Sequence, residues 1–118
     1  MKTEFKVKDI SLAEDGRLNV EWAEKHMPVL MRIRERFEKE TPLRGVIVAG
    51  SIHVTKETAA LIGTLQRGGA QLSWCGCNPL TTQDNVAAFL AKYGTTGEGV
   101  PISIYAWKGQ TAEEYYWL

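Results

Sequence analysis

Cysteine is scarce: 118 residues contain two, both in Cys75-Gly76-Cys77. That excludes a secreted scaffold stapled by disulfides and sets a reducing cytoplasm as the expected compartment. With no second Cys/His pair at ligand spacing, a zinc centre is not expected either. A surplus of charge of one sign is lacking as well. Fourteen Lys and Arg offset fourteen Asp and Glu, so no electrostatic footprint points to nucleic acid or a membrane surface. No apolar run approaches bilayer-spanning length, and the opening MKTEFKVKDI lacks the apolar centre of a secretory signal. The chain also has no G-x-G-x-x-G, P-loop, G-x-S-x-G or H-E-x-x-H motif, no internal repeat and no low-complexity segment.

What is present suits one globular domain. Hydrophobic residues make up 44% and charged residues 24%, and this length is enough to bury a core. Ser11-Leu12-Ala13-Glu14 has the capping-box form and opens a stretch with Leu12, Leu18, Val20, Trp22 and Ala23 as candidate core contacts. Met27-Pro28 begins a second helix, because proline is tolerated in the first turn. Its apolar stripe is Val29, Leu30, Ile33 and Phe37, with Arg32, Arg34, Glu35, Arg36 and Glu38 facing outward, and Thr41-Pro42 ends it. From Gly45 the pattern changes. Gly45 to Gly50 reads as a buried strand, Thr55 to Arg67 as a helix stopped by Gly68-Gly69, and Ala70 to Cys75 as a second strand. After a loop from Cys77 to Leu80, Thr81 opens a helix with Asp84 placed to bond back and Val86, Phe89, Leu90 and Tyr93 as its stripe. Gly94 to Gly99 is a polar turn, Val100 to Ala106 a third strand, and Thr111 with Glu114 caps a last helix of which about one turn follows Glu114. Strand and helix alternating three times predicts an α/β fold of three layers around a parallel sheet, Rossmann-like or flavodoxin-like, preceded by two N-terminal helices that pack across the sheet. The domain is expected to be incomplete.

Ligands of open parallel sheets bind beyond the carboxyl ends of the strands. Three segments fall there: Gly50 to Thr55, Cys75 to Thr82 and Trp107 to Gln110. Each brings polar side chains and a helix N-terminus, a rim suited to a polar small molecule. For Thr55 and Thr58 capping is an equal alternative to ligand contact, and Glu57 complements the helix dipole besides offering a hydrogen-bond acceptor. His53 has no capping role and is placed for binding or proton transfer, though a lone histidine is more often structural than catalytic, by about two to one. Periodicity and spacing go no further than an α/β domain with a polar rim.

The segments "KVKDISLAEDGR", "EWAEKHMPVLMRIRERFEKETPLRGVIVAGSIHVTKETAALI", "CNPLTTQDNVAAFLAKYG" and "YAWKGQTAEEYYW", in this order across residues 6 to 117, together resemble the N-terminal part of the adenosylhomocysteinase family. That resemblance implies reversible hydrolysis of S-adenosylhomocysteine to adenosine and homocysteine, a step of one-carbon metabolism. It implies a tightly held NAD that transiently oxidises the ribose 3′-hydroxyl in the whole enzyme, and a homotetramer. On this reading residues 1–118 are the first part of a substrate-binding domain, the NAD-binding domain lies outside the chain, and the chain alone binds no cofactor. The motif "HVTKET" matches the family's H-x-T-x-E-T wall. His53 would sit near the ribose, Thr55 would contact the nucleoside, Glu57 the adenine end, Thr58 would shape that pocket and Ile52 would touch the base. "CNPLTTQD" matches the crevice segment, with Cys77, Asn78, Thr82, Gln83 and Asp84. The family's catalytic lysine, aspartate and dinucleotide fingerprint are not in this sequence, and "KYGTTGEGVPISIYAW" is longer than the family's link into its YAW strand. The expected function is therefore the adenosine-binding wall of the hydrolase, inactive alone. A stand-alone nucleoside-binding or assembly module is the alternative.

Overall fold

A computed structural model describes residues 4–96 and 100–117. Four strands form one all-parallel sheet: β1 (Lys6–Val7), β2 (Ile47–Ser51), β3 (Gln71–Cys75) and β4 (Ser103–Ala106), in the order β1-β4-β3-β2. The helices are α1 (Ala13–Lys25), α2 (Pro28–Glu40), α3 (Lys56–Arg67), α4 (Asp84–Lys92) and α5 (Ala112–Trp117). The α/β class and the parallel sheet agree with the sequence reading. Strand β1 was not anticipated, since two residues carry no periodicity and only pairing with Tyr105 and Ala106 makes them a strand.

The layering also differs. Helices α3 and α4 cover one face of the sheet, and α1 and α2 pack on α3 and α4 rather than across the sheet. Val54, Ile62, Trp74, Val86, Phe89, Leu90 and Ile104 form the core between sheet and helices. On the opposite sheet face Ile47 is 77% exposed, and Ala49 and Ser51 beside it are exposed.

Helix α1 buries Ala13, Gly16, Val20 and Ala23, while Leu18 and Trp22, expected in the core, are more than half exposed. The small face allows a close crossing with α4. A Cβ at Gly16 would lie 1.9 Å from the Asn85 carbonyl oxygen. The start of α1 is also recast. Asp9, not Ser11, is the cap, accepting from the Ser11 N–H and Oγ–H and opening a 3₁₀ turn, Ile10–Leu12, ahead of α1. These bonds hold the Asp9 carboxyl below the usual range.

On α2, Arg34 turns inward and Val29 and Ile33 stay exposed, the reverse of the expected faces. The guanidinium pairs with Glu24 and donates to the Ala60 carbonyl (2.7 Å), Thr64 Oγ1 (3.2 Å) and Thr96 Oγ1 (3.3 Å). A buried charge survives only with such partners, and this one ties α1, α2, α3 and the turn after α4 together. Glycines stop α3 as expected, with Gly69 at φ +101°. The Thr111–Glu114 capping box forms with both reciprocal bonds, 2.9 and 3.1 Å. In the polar turn, positions 97–99 lie outside the described residues.

Candidate functional site

Strands β2, β3 and β4 end level. Ser51 pairs with Cys75 and Cys75 with Tyr105, so the loops that follow emerge along one rim. They are stitched to each other. The Gln83 N–H donates to the Val54 carbonyl (2.9 Å), and the Lys56 N–H donates to Gln83 Oε1 (3.0 Å). The Gly109 N–H donates to the Pro79 carbonyl (2.8 Å) and the Lys108 N–H to Asp84 Oδ1 (2.9 Å). Lys8 from the β1 end reaches the Lys108 carbonyl (2.9 Å) and lies 3.8 Å from Asp84 Oδ2. All three expected segments are thus brought together. Asp84 does so in an unexpected way: it does not close a capping box with Thr81 but starts α4 itself and holds the third loop.

The strand-to-helix turn after β2 carries the densest set of polar groups. Gly50 permits it. A Cβ there would lie 2.2 Å from the Trp74 ring, whose indole N–H donates to the Ile52 carbonyl (3.3 Å) and anchors the loop from beneath. The Ser51 hydroxyl donates to the Gly76 carbonyl (3.3 Å). Val54 is fully buried and pins the turn to the core. Ile52, His53 and Glu57 are left exposed on its outer side. Thr55 caps α3, accepting from the Thr58 N–H (3.4 Å) and donating to Thr58 Oγ1 (3.3 Å). Both threonines therefore do the work of a helix start, which holds Glu57 in place between them.

His53 Nδ1 lies 2.7 Å from Thr81 Oγ1, and the Thr81 hydroxyl in turn donates to the Asn78 carbonyl (3.3 Å). The Thr81 contact engages Nδ1 and leaves Nε2 as the ring nitrogen open to a ligand. Partial burial opposes ionisation of Glu57. Its own backbone N–H, Lys56 and Thr55 outweigh that and hold the carboxyl below the usual range. The wall thus presents an imidazole and a carboxylate four positions apart around one helix start.

In the second loop Cys77 and Asn78 are exposed, and Asn78 Oδ1 accepts from the Leu80 N–H (2.8 Å) in a local turn. Cys75 is half-buried and both thiols are free. Gln83 spends its amide oxygen on α3. Thr82 is 2% exposed with no partner for its hydroxyl, and Gln110 of the third loop is 7% exposed with its Oε1 unpaired. These are two buried polar groups on the rim side whose needs the described residues do not meet. Beside the third loop a cavity of about 230 Å³ is lined by Lys6, Trp107, Glu113 and Glu114. Sequence reading missed Thr81, which orients His53, and Lys56, which sits 3.2 Å from Glu57. Thr81 is 28 residues from its partner and carries no local signal. Lys56 has one, since a cation in a helix's first turn opposes the dipole.

Among the described residues no cluster of three or more His, Cys, Asp or Glu could hold a metal, and no helix is long and apolar enough to cross a membrane. The turn after β2 does not fit a dinucleotide. Pyrophosphate binding there needs glycines that let the backbone approach; Ile52, His53, Val54 and Thr55 occupy those positions, and Val54 fills the space beneath.

A sequence model of the family described as S-adenosyl-L-homocysteine hydrolase matches residues 4–118. The chain is 54% identical over 113 residues to the adenosylhomocysteinase of Sulfolobus acidocaldarius, covering 96% of this chain and 26% of that protein. It is 53% identical to that of Saccharolobus solfataricus, covering 95% and 25%. It is 50% identical to the S-inosyl-L-homocysteine hydrolase of Methanopyrus kandleri, covering 96% and 25%. The chain therefore spans about a quarter of the length of the curated relatives it matches.

Proposed function

The chain belongs to the S-adenosyl-L-homocysteine hydrolase family, and on that premise we propose that it supplies the nucleoside-binding wall of such an enzyme, as the first part of its substrate-binding domain. The observation that carries this reading is the wall around the start of α3. His53, held by Thr81, and Glu57, in the turn that the Thr55 cap fixes through Thr58, face outward from a loop that the core holds in place. The relatives' names specify a purine nucleoside joined to homocysteine. Such a ligand has a base with hydrogen-bonding edges, ribose hydroxyls and a thioether. Glu57, ionised, would accept from the base, and Ile52, 44% exposed, would give it an apolar contact. His53 Nε2 would hydrogen-bond a ribose hydroxyl and orient it. Thr55 and Thr58 shape the pocket by fixing the helix start, and Cys77, Asn78, Thr82 and Gln83 form the facing loop, with the unpaired Thr82 hydroxyl as the group still seeking a partner.

The family reaction, release of homocysteine and a nucleoside by hydrolysis, depends in the whole enzyme on NAD. The turn after β2 does not fit a dinucleotide, so the redox part of the work is assigned to residues outside this wall. The chain alone is expected to bind the nucleoside without turning over the thioether. Two measurements test this. Isothermal titration of adenosine into the chain should give saturable one-to-one binding that His53→Ala and Glu57→Gln each weaken at least threefold. An assay of homocysteine release from S-adenosylhomocysteine with added NAD should show none. Release at an enzyme's rate would overturn the assignment of the chemistry to other residues, and absent binding would overturn the wall itself.

A further inference from the structure

Lys56 occupies the first turn of α3, directly after the Thr55 cap, where the helix dipole works against a positive charge. It is nonetheless held from three sides. Its N–H is bound by Gln83, its Nζ lies 3.2 Å from Glu57 Oε1, and the ammonium stands 5.6 Å from the centroid of the Trp22 ring. Trp22 is itself braced by His26, stacked at 4.0 Å and 25°. That is a use for an indole that lies 54% exposed and outside the core. A cation–π contact of this kind stabilises a partly desolvated lysine modestly but directionally, and the Lys56 side chain is only 28% exposed. The result is a fixed donor beside a fixed acceptor on the outer side of the wall.

We propose that Lys56 makes this edge of the site tolerant at purine C6, so that it takes a 6-oxopurine nucleoside as well as the 6-amino one. The inference rests on the reading that Glu57 faces the base. An adenine edge offers N6–H to Glu57 and N7 as an acceptor for Lys56. A hypoxanthine edge offers N1–H to Glu57 and O6 as an acceptor for Lys56. Both edges are satisfied by the same ion pair with the base shifted by one polar group. Without the ammonium, O6 would lie beside a carboxylate with no donor, a desolvated repulsion, whereas the adenine amino group would keep its acceptor. Lys56 is thus the specificity-determining residue and Trp22 the residue that positions it.

The test is isothermal titration of adenosine and of inosine into the wild-type chain and into Lys56→Met, which keeps the apolar stem and removes the charge. The wild-type chain should bind the two nucleosides within tenfold of each other. Lys56→Met should shift the ratio of their dissociation constants at least tenfold toward adenosine, a change that general loosening of the helix start would not produce. Adenosine binding with a wild-type ratio above tenfold, or with a ratio unmoved by Lys56→Met, overturns this inference and leaves the nucleoside wall intact. Failure of the folded wild-type chain to bind either nucleoside overturns the wall, and this inference with it.

Discussion

Arg34→Met removes the cation that joins three helices. The side chains of Arg34 and Glu24 are 7% and 12% exposed, so the substitution leaves a carboxylate in a place water hardly reaches. Thr96 Oγ1 remains within 2.9 and 3.0 Å of the two Glu24 oxygens, and the Ala60 carbonyl keeps the Thr64 hydroxyl as a donor (3.0 Å), but the Arg34 bonds to Ala60 and Thr64 are lost. Breaking one side of a buried pair costs about 3–5 kcal/mol. Against a total stability of roughly 5–15 kcal/mol for a domain, that is a large share. At about 4 °C per kcal/mol for a chain of this size it lowers Tm by roughly 12–20 °C. Glu24→Gln should cost less, since an amide oxygen still accepts from the guanidinium, and the double variant Glu24→Leu with Arg34→Met should lose less than the sum of its parts. Urea unfolding followed by far-UV circular dichroism, with equal m-values across the set, measures all three. A loss below about 1 kcal/mol for Arg34→Met would refute the buried-pair reasoning and put the pair in the class of surface ion pairs.

Three further outcomes follow from the site. Gly50→Ala should drive a methyl into the Trp74 ring and cost about 1–3 kcal/mol, visible as a red-shifted Trp74 emission in a variant set where the other tryptophans are replaced. Thr81→Val should free the His53 ring and weaken adenosine binding about three- to tenfold, the worth of one hydrogen bond of about 1 kcal/mol, with little change in Tm. Glu57 is held below the usual carboxylate range, so its folded-state pKa is depressed. Its contribution to stability and to binding is present above the unfolded-state value and is lost as pH falls through the lower folded-state value. Adenosine affinity should accordingly hold through mildly acid pH and fall in that acid window, and Glu57→Gln should remove this acid limb.

Much of the fold was legible because α3, α4 and their flanking strands obey local rules: periodic stripes, glycine stops and a Thr111–Glu114 box whose two bonds form as spaced. What was not legible depended on partners far along the chain. Strand β1 exists only through Tyr105 and Ala106. Arg34 looked like one more solvated charge, because the Glu24 that admits it to the interior is on another helix. Leu18 and Trp22 looked like core because they are apolar, yet the close approach at Gly16 gives the inner face of α1 to smaller residues. The site divides the same way. His53 and Glu57 stood out by type and position, whereas Thr81 and Lys56 gain meaning only from 2.7 and 3.2 Å contacts.

The most direct test of the nucleoside wall is residue-resolved. Adenosine titrated into the ¹⁵N-labelled chain, followed by two-dimensional amide NMR, should move the amides of Ile52 to Thr58 and Cys77 to Gln83 along one saturating curve, while α2 and the exposed sheet face stay still. Saturating shifts confined to the sheet face or the α2 surface, or no shifts at millimolar adenosine, would contradict the assignment of this rim as the nucleoside wall.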